Sequence, residues 1–198
     1  MKVLISSTFS EVKEEDYIIH KEFKEQNVSI PFEKQVFKHC LFENVNWDSE
    51  IYRVEFEDCE FKNCDLSNLD FSNICIQDCS FKDCKMIGSN FSESVLKKVI
   101  FQDCILKYSN FSFTRLEEVT IKNAYLVGSS FNETRFKKTT ITDSHLEECE
   151  FFHTSLKNMD FTTNQITGIK TTMDALQGLK INEFQALELI HLLGVIVI

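Results

Sequence analysis

"CSFKDCKMIGSNFSESVLKKVIF", residues 79–101, sets Phe81, Met86, Phe91, Leu96 and Phe101 at intervals of five. A strand alternates every second residue and an amphipathic helix repeats every 3.6, so neither explains this spacing. The beat runs from Phe56 to Ile166 without a miss, through Phe61, Leu66, Phe71 and Ile76 before the quoted stretch and Leu106, Phe111, Leu116 and Ile121 after it. Two residues before each apolar centre lies a register of mostly small residues, among them Cys59, Cys64, Cys79, Cys84, Ser89, Ser94, Cys104, Ser109 and Thr114. Residues two apart in extended chain point to the same face, so large and small side chains share one interior. The other three positions are dominated by Lys, Asp, Glu, Asn, Ser and Thr, which face water. Every fourth centre from Phe71 is again Phe: Phe71, Phe91, Phe111, Phe131 and Phe151. Twenty residues therefore make one turn of four sides, with like residues stacked above like.

A period this long organises the whole chain, because each turn can bury its apolar face only against its neighbours. Upstream, Phe32, Phe37, Phe42 and Trp47 keep the spacing of five, but Trp47 and Phe56 are nine apart, which predicts an irregular side between Asp48 and Glu55. Downstream, Leu176 and Ile181 remain in phase. The reading divides the chain into residues 1–31 as an N-terminal cap or imperfect coil, 32–181 as the repeat, and 182–198 as a C-terminal helix and tail. With five Gly and one Pro in 198 residues, no stretch reads as a linker.

The repeat resembles the pentapeptide-repeat family, whose motif is a small residue, often followed by Asp or Asn, then a central Leu or Phe and two variable positions; "SNFSE", "SNFSF" and "SSFNE" carry the likeness. The resemblance implies an all-β fold, a right-handed quadrilateral parallel β-helix, with Leu and Phe along the axis. At the ordinary strand spacing of about 4.8 Å, about seven turns give a rod roughly 34 Å long.

Composition narrows the function classes. The formal charge of −10 argues against direct binding of nucleic acid or an anionic membrane. The apolar C-terminal stretch "LELIHLLGVIVI" is short of the roughly 20 residues that cross a bilayer. With no export signal read at the N-terminus, a cytoplasmic location is expected and the eight cysteines are expected to be reduced. Seven of them lie in the small inward register, where Cys behaves as a compact hydrophobe, so no metal and no cofactor is assigned. The five histidines show no ligand spacing, and no phosphate loop or nucleophile motif is present. A rod filled by Phe and Leu has no enclosed pocket, and no catalytic residue is assigned.

Sorting the outward residues by side gives the partner expectation. On the side centred on Phe71 to Phe151, the outward positions hold Asp70, Glu93, Glu133 and Glu150 and no Lys or Arg. Asn90, Asn110 and Phe113 lie between these carboxylates. The neighbouring side centred on Phe56 to Leu156 carries Lys97, Lys98, Arg115, Arg135, Lys137, Lys138 and Lys157 among its acids. A stripe of spaced carboxylates is the surface that a basic DNA-binding groove accepts in place of phosphates.

At the C-terminus, Asn182 and Gln185 read as an N-cap with its capping-box partner, opening a helix from about residue 183 to 193 stopped by Gly194. That helix is apolar nearly all round, so both capping and a dimer interface are expected, the latter through Phe184, Leu187, Ile190, Leu193, Val195 and Ile196. Here the chain resembles the Qnr-type subgroup and its MfpA-like relatives, a resemblance that implies a homodimeric DNA mimic acting on DNA gyrase or topoisomerase IV and countering fluoroquinolones. The two loops that interrupt plasmid-borne Qnr repeats have no counterpart between residues 56 and 166. The alternative reading is a scaffold for another protein partner.

Overall fold

In the computed structural model, which describes residues 3–190 and 192, the five-residue beat becomes a four-sided parallel β-helix. The three-residue strands typically bury their centre and turn both flanking residues outward, as around Phe56 in Glu55–Glu57 and Phe101 in Ile100–Gln102. Strands one turn apart pair in parallel and in register: Phe61 with Phe81, Phe81 with Phe101, and Leu96 with Leu116. Side 1, centred on Ile18, Phe37, Phe56, Ile76, Leu96, Leu116 and Phe136, is a seven-stranded sheet. Side 2, centred on Phe23, Phe42, Phe61, Phe81, Phe101, Ile121 and Ile141, is an eight-stranded sheet with Ile5–Ser6 at its edge. Side 3 follows Leu66, Met86, Leu106, Leu126 and Leu146, and side 4 follows Phe71, Phe91, Phe111, Phe131 and Phe151; there single bridges such as Asp65–Lys85 and Asp70–Asn90 join the turns.

The interior is a set of columns. Phe71, Phe91, Phe111 and Phe131 stack with ring centroids 4.8, 4.8 and 4.9 Å apart. The small register does more than leave room for these rings. Ser89 Oγ donates to the Leu66 carbonyl at 2.7 Å, and Thr114 Oγ1 to the Phe91 carbonyl at 2.7 Å. Ser, Thr and Cys thus add a second donor to a buried carbonyl one turn away, beside the backbone N–H groups of Leu69 and Ser94 that the Leu66 and Phe91 carbonyls also accept, each at 3.3 Å.

Corners are built by the residue two after each centre, which takes the left-handed conformation along most of the rod: Asp58 (φ 51°), Asn63 (50°), Asn68 (59°), Asn73 (56°), Glu93 (60°) and Phe113 (60°) among them. L-residues pay about 1–2 kcal/mol for this, least for Asn, Asp and Gly, which explains the frequency of those types at the corners.

The missing residue upstream falls at a four-residue step from Trp47 to Ile51, and an equal step joins Val28 to Phe32. Ile51 is the centre of that side, paired with the side of Phe32, and the N-terminal turns pair 19 residues apart rather than 20. The change of turn length leaves a cleft lined by Trp47, Glu50, Ser67 and Asp70, because the longer corner after Leu66 has no equal corner beneath it.

Both described ends are covered. Helix α1, Phe9–Val12, buries Phe9 and Val12, and Phe9 stacks on Phe23 with centroids 4.3 Å apart. At the other end, helix α2, Glu183–Ile190, opens with the capping box read from the sequence: Gln185 N–H donates to Asn182 Oδ1 at 3.0 Å and Asn182 N–H to Gln185 Oε1 at 2.8 Å. Gln185 Nε2 then donates to the carbonyls of Phe161 and Asn164, at 2.7 and 2.6 Å, closing the last turn with a buried amide. Gly194 lies outside the described residues.

One turn departs from the pattern. On sides 1 and 2 the strand pairing ends at Arg135–Lys137 and Thr140–Thr142, while sides 3 and 4 continue, with Gln165 N–H on the Ser144 carbonyl and Glu150 N–H on the Ser129 carbonyl. Bulk explains it: Met159 occupies the slot that Thr139, Val119 and Val99 fill in earlier turns, and Phe136 follows Leu116 in the column beneath Leu156. Phe136 is accordingly only half-buried.

Candidate partner-binding surface

The predicted surface residues all fall on side 4 or its corner. Asp70, Asn90, Asn110, Ser130 and Glu150 form one ladder of parallel bridges along the flat of that side. Glu93, Phe113 and Glu133 form a second line at the corner, each with positive φ, and Phe113 is 57% exposed. The corner conformation turns these three side chains outward at the edge of the rod.

Hydrogen bonds decide which of these groups are available. Asp70 Oδ1 accepts from Asn90 Nδ2 at 2.9 Å and from Ser72 N–H at 3.0 Å. Asn90 Oδ1 in turn accepts from Asn110 Nδ2 at 3.1 Å and from Ser92 N–H at 3.1 Å. The two asparagines are therefore tied into the rod, each holding its own corner as well as its neighbour. Glu150 bonds Lys170 Nζ at 3.1 Å and Asn132 Nδ2 at 3.2 Å, and these two partners, Lys170 first, hold its carboxyl below the usual carboxylate range. Among the described residues neither Glu93 nor Glu133 has an ion-pair partner. The open negative charge of side 4 thus lies at Glu93, Glu133 and the free oxygen of Asp70.

Side 1 behaves differently because its charges alternate from turn to turn. Lys38 pairs with Glu57 at 2.7 Å, Lys137 with Glu117 at 2.6 Å, and Lys138 with Glu118 at 2.9 Å. Bonding to those lysines lowers the pKa of Glu117 and Glu118. Part of the positive charge of side 1 is thereby neutralised within the rod, while Lys97, Arg115 and Arg135 stand in no ion pair among the described residues.

A third line of acids lies on a corner rather than on a side. The corner after side 2 stacks Asp83, Asp103, Asn123 and Asp143, with Asn123 Nδ2 donating to Asp103 Oδ1 at 2.6 Å. That bond, followed by one from Gln102, lowers the pKa of Asp103. The signal was present in the sequence, as Asp or Asn two residues after the centres Phe81, Phe101, Ile121 and Ile141. In the sequence the corner is one of three outward polar positions in each five, and only the fold singles it out.

Of the predicted dimer residues, Phe184 is 73% and Leu187 61% exposed on α2, and Ile190 is half-buried. Leu189 packs against the core. Leu193, Val195 and Ile196 lie outside the described residues. Among the described residues no helix is long and apolar enough to cross a membrane, and no group of three or more His, Cys, Asp or Glu is arranged to hold a metal ion.

Comparison with known proteins places these features in context. Residues 54–131 match the family model described as a pentapeptide repeat region. No curated protein matches the chain. Among solved structures it is similar to trypsin-treated QnrB1, a plasmid-mediated fluoroquinolone resistance protein, at 20% identity over 92% of this chain and 100% of that one, with a TM-score of 0.42. A pentapeptide repeat protein from the Arabidopsis thaliana thylakoid lumen is 25% identical over 50% of this chain and 66% of its own, with a TM-score of 0.41. HetL, a pentapeptide repeat protein involved in heterocyst differentiation regulation from the cyanobacterium Nostoc, is 10% identical over 83% and 86%, with a TM-score of 0.35.

Proposed function

From the premise that residues 54–131 are a pentapeptide-repeat region, we propose that this chain is a non-enzymatic DNA mimic that binds the DNA-accepting groove of a type II topoisomerase and modulates its inhibition by fluoroquinolones. The observation that supports this reading most is the partition of charge around the rod. Side 4 offers Glu93 and Glu133 without ion-pair partners, whereas three lysines of side 1, Lys38, Lys137 and Lys138, are taken up by coil-to-coil pairs. A basic groove evolved for phosphates meets carboxylates held at fixed intervals by the stacked turns, so little ordering is left to complete on binding. Asp83, Asp103 and Asp143 at the corner after side 2 add a second acidic line, and Phe113 stands between Glu93 and Glu133 as an apolar anchor. Two copies joined through Phe184 and Leu187 would present these lines over twice the length.

The test is a DNA gyrase and topoisomerase IV supercoiling and relaxation assay with and without ciprofloxacin. Inhibition by the protein alone, or relief of drug inhibition, is expected at micromolar protein and should weaken as salt rises. No effect on either enzyme in either condition overturns the reading and leaves a scaffold for another partner, which capture of proteins other than gyrase subunits from a host lysate would then favour.

A further inference from the structure

Two columns of buried thiols run along the inside of the rod. Cys40, Cys59 and Cys79 succeed one another in the slot before side 2, and Cys64, Cys84 and Cys104 in the slot before side 3. Each sulfur takes the same pose. Cys59 Sγ donates to the Phe37 carbonyl at 3.3 Å and Cys79 Sγ to that of Phe56 at 3.5 Å. Cys64, Cys84 and Cys104 donate likewise to Phe42, Phe61 and Phe81, at 3.4, 3.5 and 3.4 Å. An equal pose at every turn sets successive sulfurs one turn apart. The neighbouring rings show how closely these turns stack: 4.5 Å for Phe42–Phe61, 4.6 Å for Phe61–Phe81 and 5.0 Å for Phe81–Phe101.

The interval suits one kind of thiol chemistry and opposes another. A disulfide wants Cβ atoms about 3.8 Å apart and sulfurs about 2 Å apart, so forming one would pull two turns together against their hydrogen-bond ladder. Two metal–thiolate bonds of about 2.3 Å laid end to end span about 4.6 Å, which matches the 4.5–5.0 Å at which the rings of the same turns repeat. Tetrahedral coordination needs more ligands than a straight column brings to one point, and among the described residues no such group exists.

We propose that the two columns bind soft, two-coordinate monovalent cations of the copper(I) class, each ion seated between successive thiols. Sulfur ligands select such ions over harder ones. As the ion enters, one thiol of the pair loses its proton to solvent and the other keeps its own, so one positive charge replaces another and the buried site gains no net charge. That balance matters because an unpaired charge in this interior would be costly. The Cys59 N–H, 3.4 Å from Cys79 Sγ, is already placed to stabilise a thiolate there. Cys149, whose thiol burial drives up to about 12, and Cys75, which is off the small register, have no stacked thiol and serve as internal controls.

The full-length protein should be titrated with copper(I) against a chromophoric chelator, both after prolonged incubation of the folded chain and after refolding with the ion, since loading requires turns to part. Two double variants are compared. Cys59→Ser with Cys84→Ser removes the middle of each column and leaves the remaining thiols two turns apart. Cys40→Ser with Cys104→Ser removes as many thiols but leaves Cys59–Cys79 and Cys64–Cys84 intact. Serine is accommodated in this register, as Ser89, Ser94 and Ser109 show. The expected result is a two-sulfur shell by X-ray absorption for the wild type and the end variant, and an affinity lower by tenfold or more in the middle variant, about the least that disrupting a metal site costs. Equal binding by all three proteins overturns the proposal. So does an absence of binding after refolding, or a shell of three or more sulfurs. None of these outcomes involves a topoisomerase, so the result stands apart from the partner reading.

Discussion

Phe111 lies face to face over Phe91, with centroids 4.8 Å apart and planes within 4°. Both rings are fully buried, and Phe131 continues the stack on the far side of Phe111. Phe111→Ala therefore opens a cavity that the neighbouring turns cannot close without losing their own register. We expect a loss of about 3–5 kcal/mol, read from urea unfolding. Phe111→Leu should cost less, since Leu fills the same axial position on the other sides. A loss under 1 kcal/mol for the alanine variant would contradict the packing described.

Gly128 adopts φ +70° at a corner, and a Cβ placed there would stand 2.8 Å from the Tyr108 ring. Two costs meet at this position: the left-handed backbone, about 1–2 kcal/mol for an L-residue, and displacement of the tyrosine. Gly128→Ala should lower stability by more than the backbone term alone. Adding Tyr108→Ala, which removes the obstructing ring, should recover the difference in a double-mutant cycle.

Glu150 titrates below the usual range because Lys170 and Asn132 bond its ionised form. A carboxylate with a depressed folded-state pKa stabilises the fold above its unfolded value and loses that contribution as pH falls through the folded one. The Glu150 contribution is thus complete at neutral pH and disappears below the ordinary glutamate value of 4.5. Glu150→Gln should flatten the stability profile between pH 5 and 3, to a small extent because the pair is partly exposed. Unfolding midpoints measured across that interval provide the check.

Phe184 and Leu187 expose apolar surface on a helix whose first turn is locked to the rod by Gln185. If these residues form the dimer contact, Leu187→Asp should give a monomer of 23.1 kDa by light scattering while leaving the unfolding transition of the rod in place. A wild-type protein that is already monomeric at high concentration would remove the dimer from the proposed function. Gln185→Ala makes a contrasting case: it frees the Phe161 and Asn164 carbonyls and should destabilise the last turn whatever the oligomeric state.

On the proposed surface, Glu93→Lys with Glu133→Lys reverses the charge of two groups that bond nothing else on the rod. This variant should lose the effect on gyrase with no loss of stability. Asn90→Ala should instead perturb the ladder through Asp70 and Asn110, and so change stability as well as binding. A double-lysine variant with undiminished activity would place the contact elsewhere.

Much of this molecule is legible from one register. Phe81, Met86, Phe91 and Leu96 announce four sides, and the recurrence of Phe at every fourth centre announces their stacking, because only a turn of twenty residues puts those side chains in one column. The capping box at Asn182 and Gln185 was equally readable, since its hydrogen bonds are local. The corners were less so. Asp58, Asn63 and Asn68 carry the compositional mark of left-handed backbone, but as polar residues they look like any other outward position until the chain is folded.

The sequence by itself determined the turn, its sides and the contents of its interior, since these follow from spacing along the chain. Tertiary structure alone decided what that interior and its surface can do. Glu150 and Glu93 are both acidic residues on one side, yet one is spent on Lys170, twenty residues away, and the other is open. The cysteines are likewise compact hydrophobes when read singly, and become columns of thiols one strand spacing apart only when the turns are stacked. In each case the deciding distance runs across turns, along the axis of the rod, where sequence neighbours have no say.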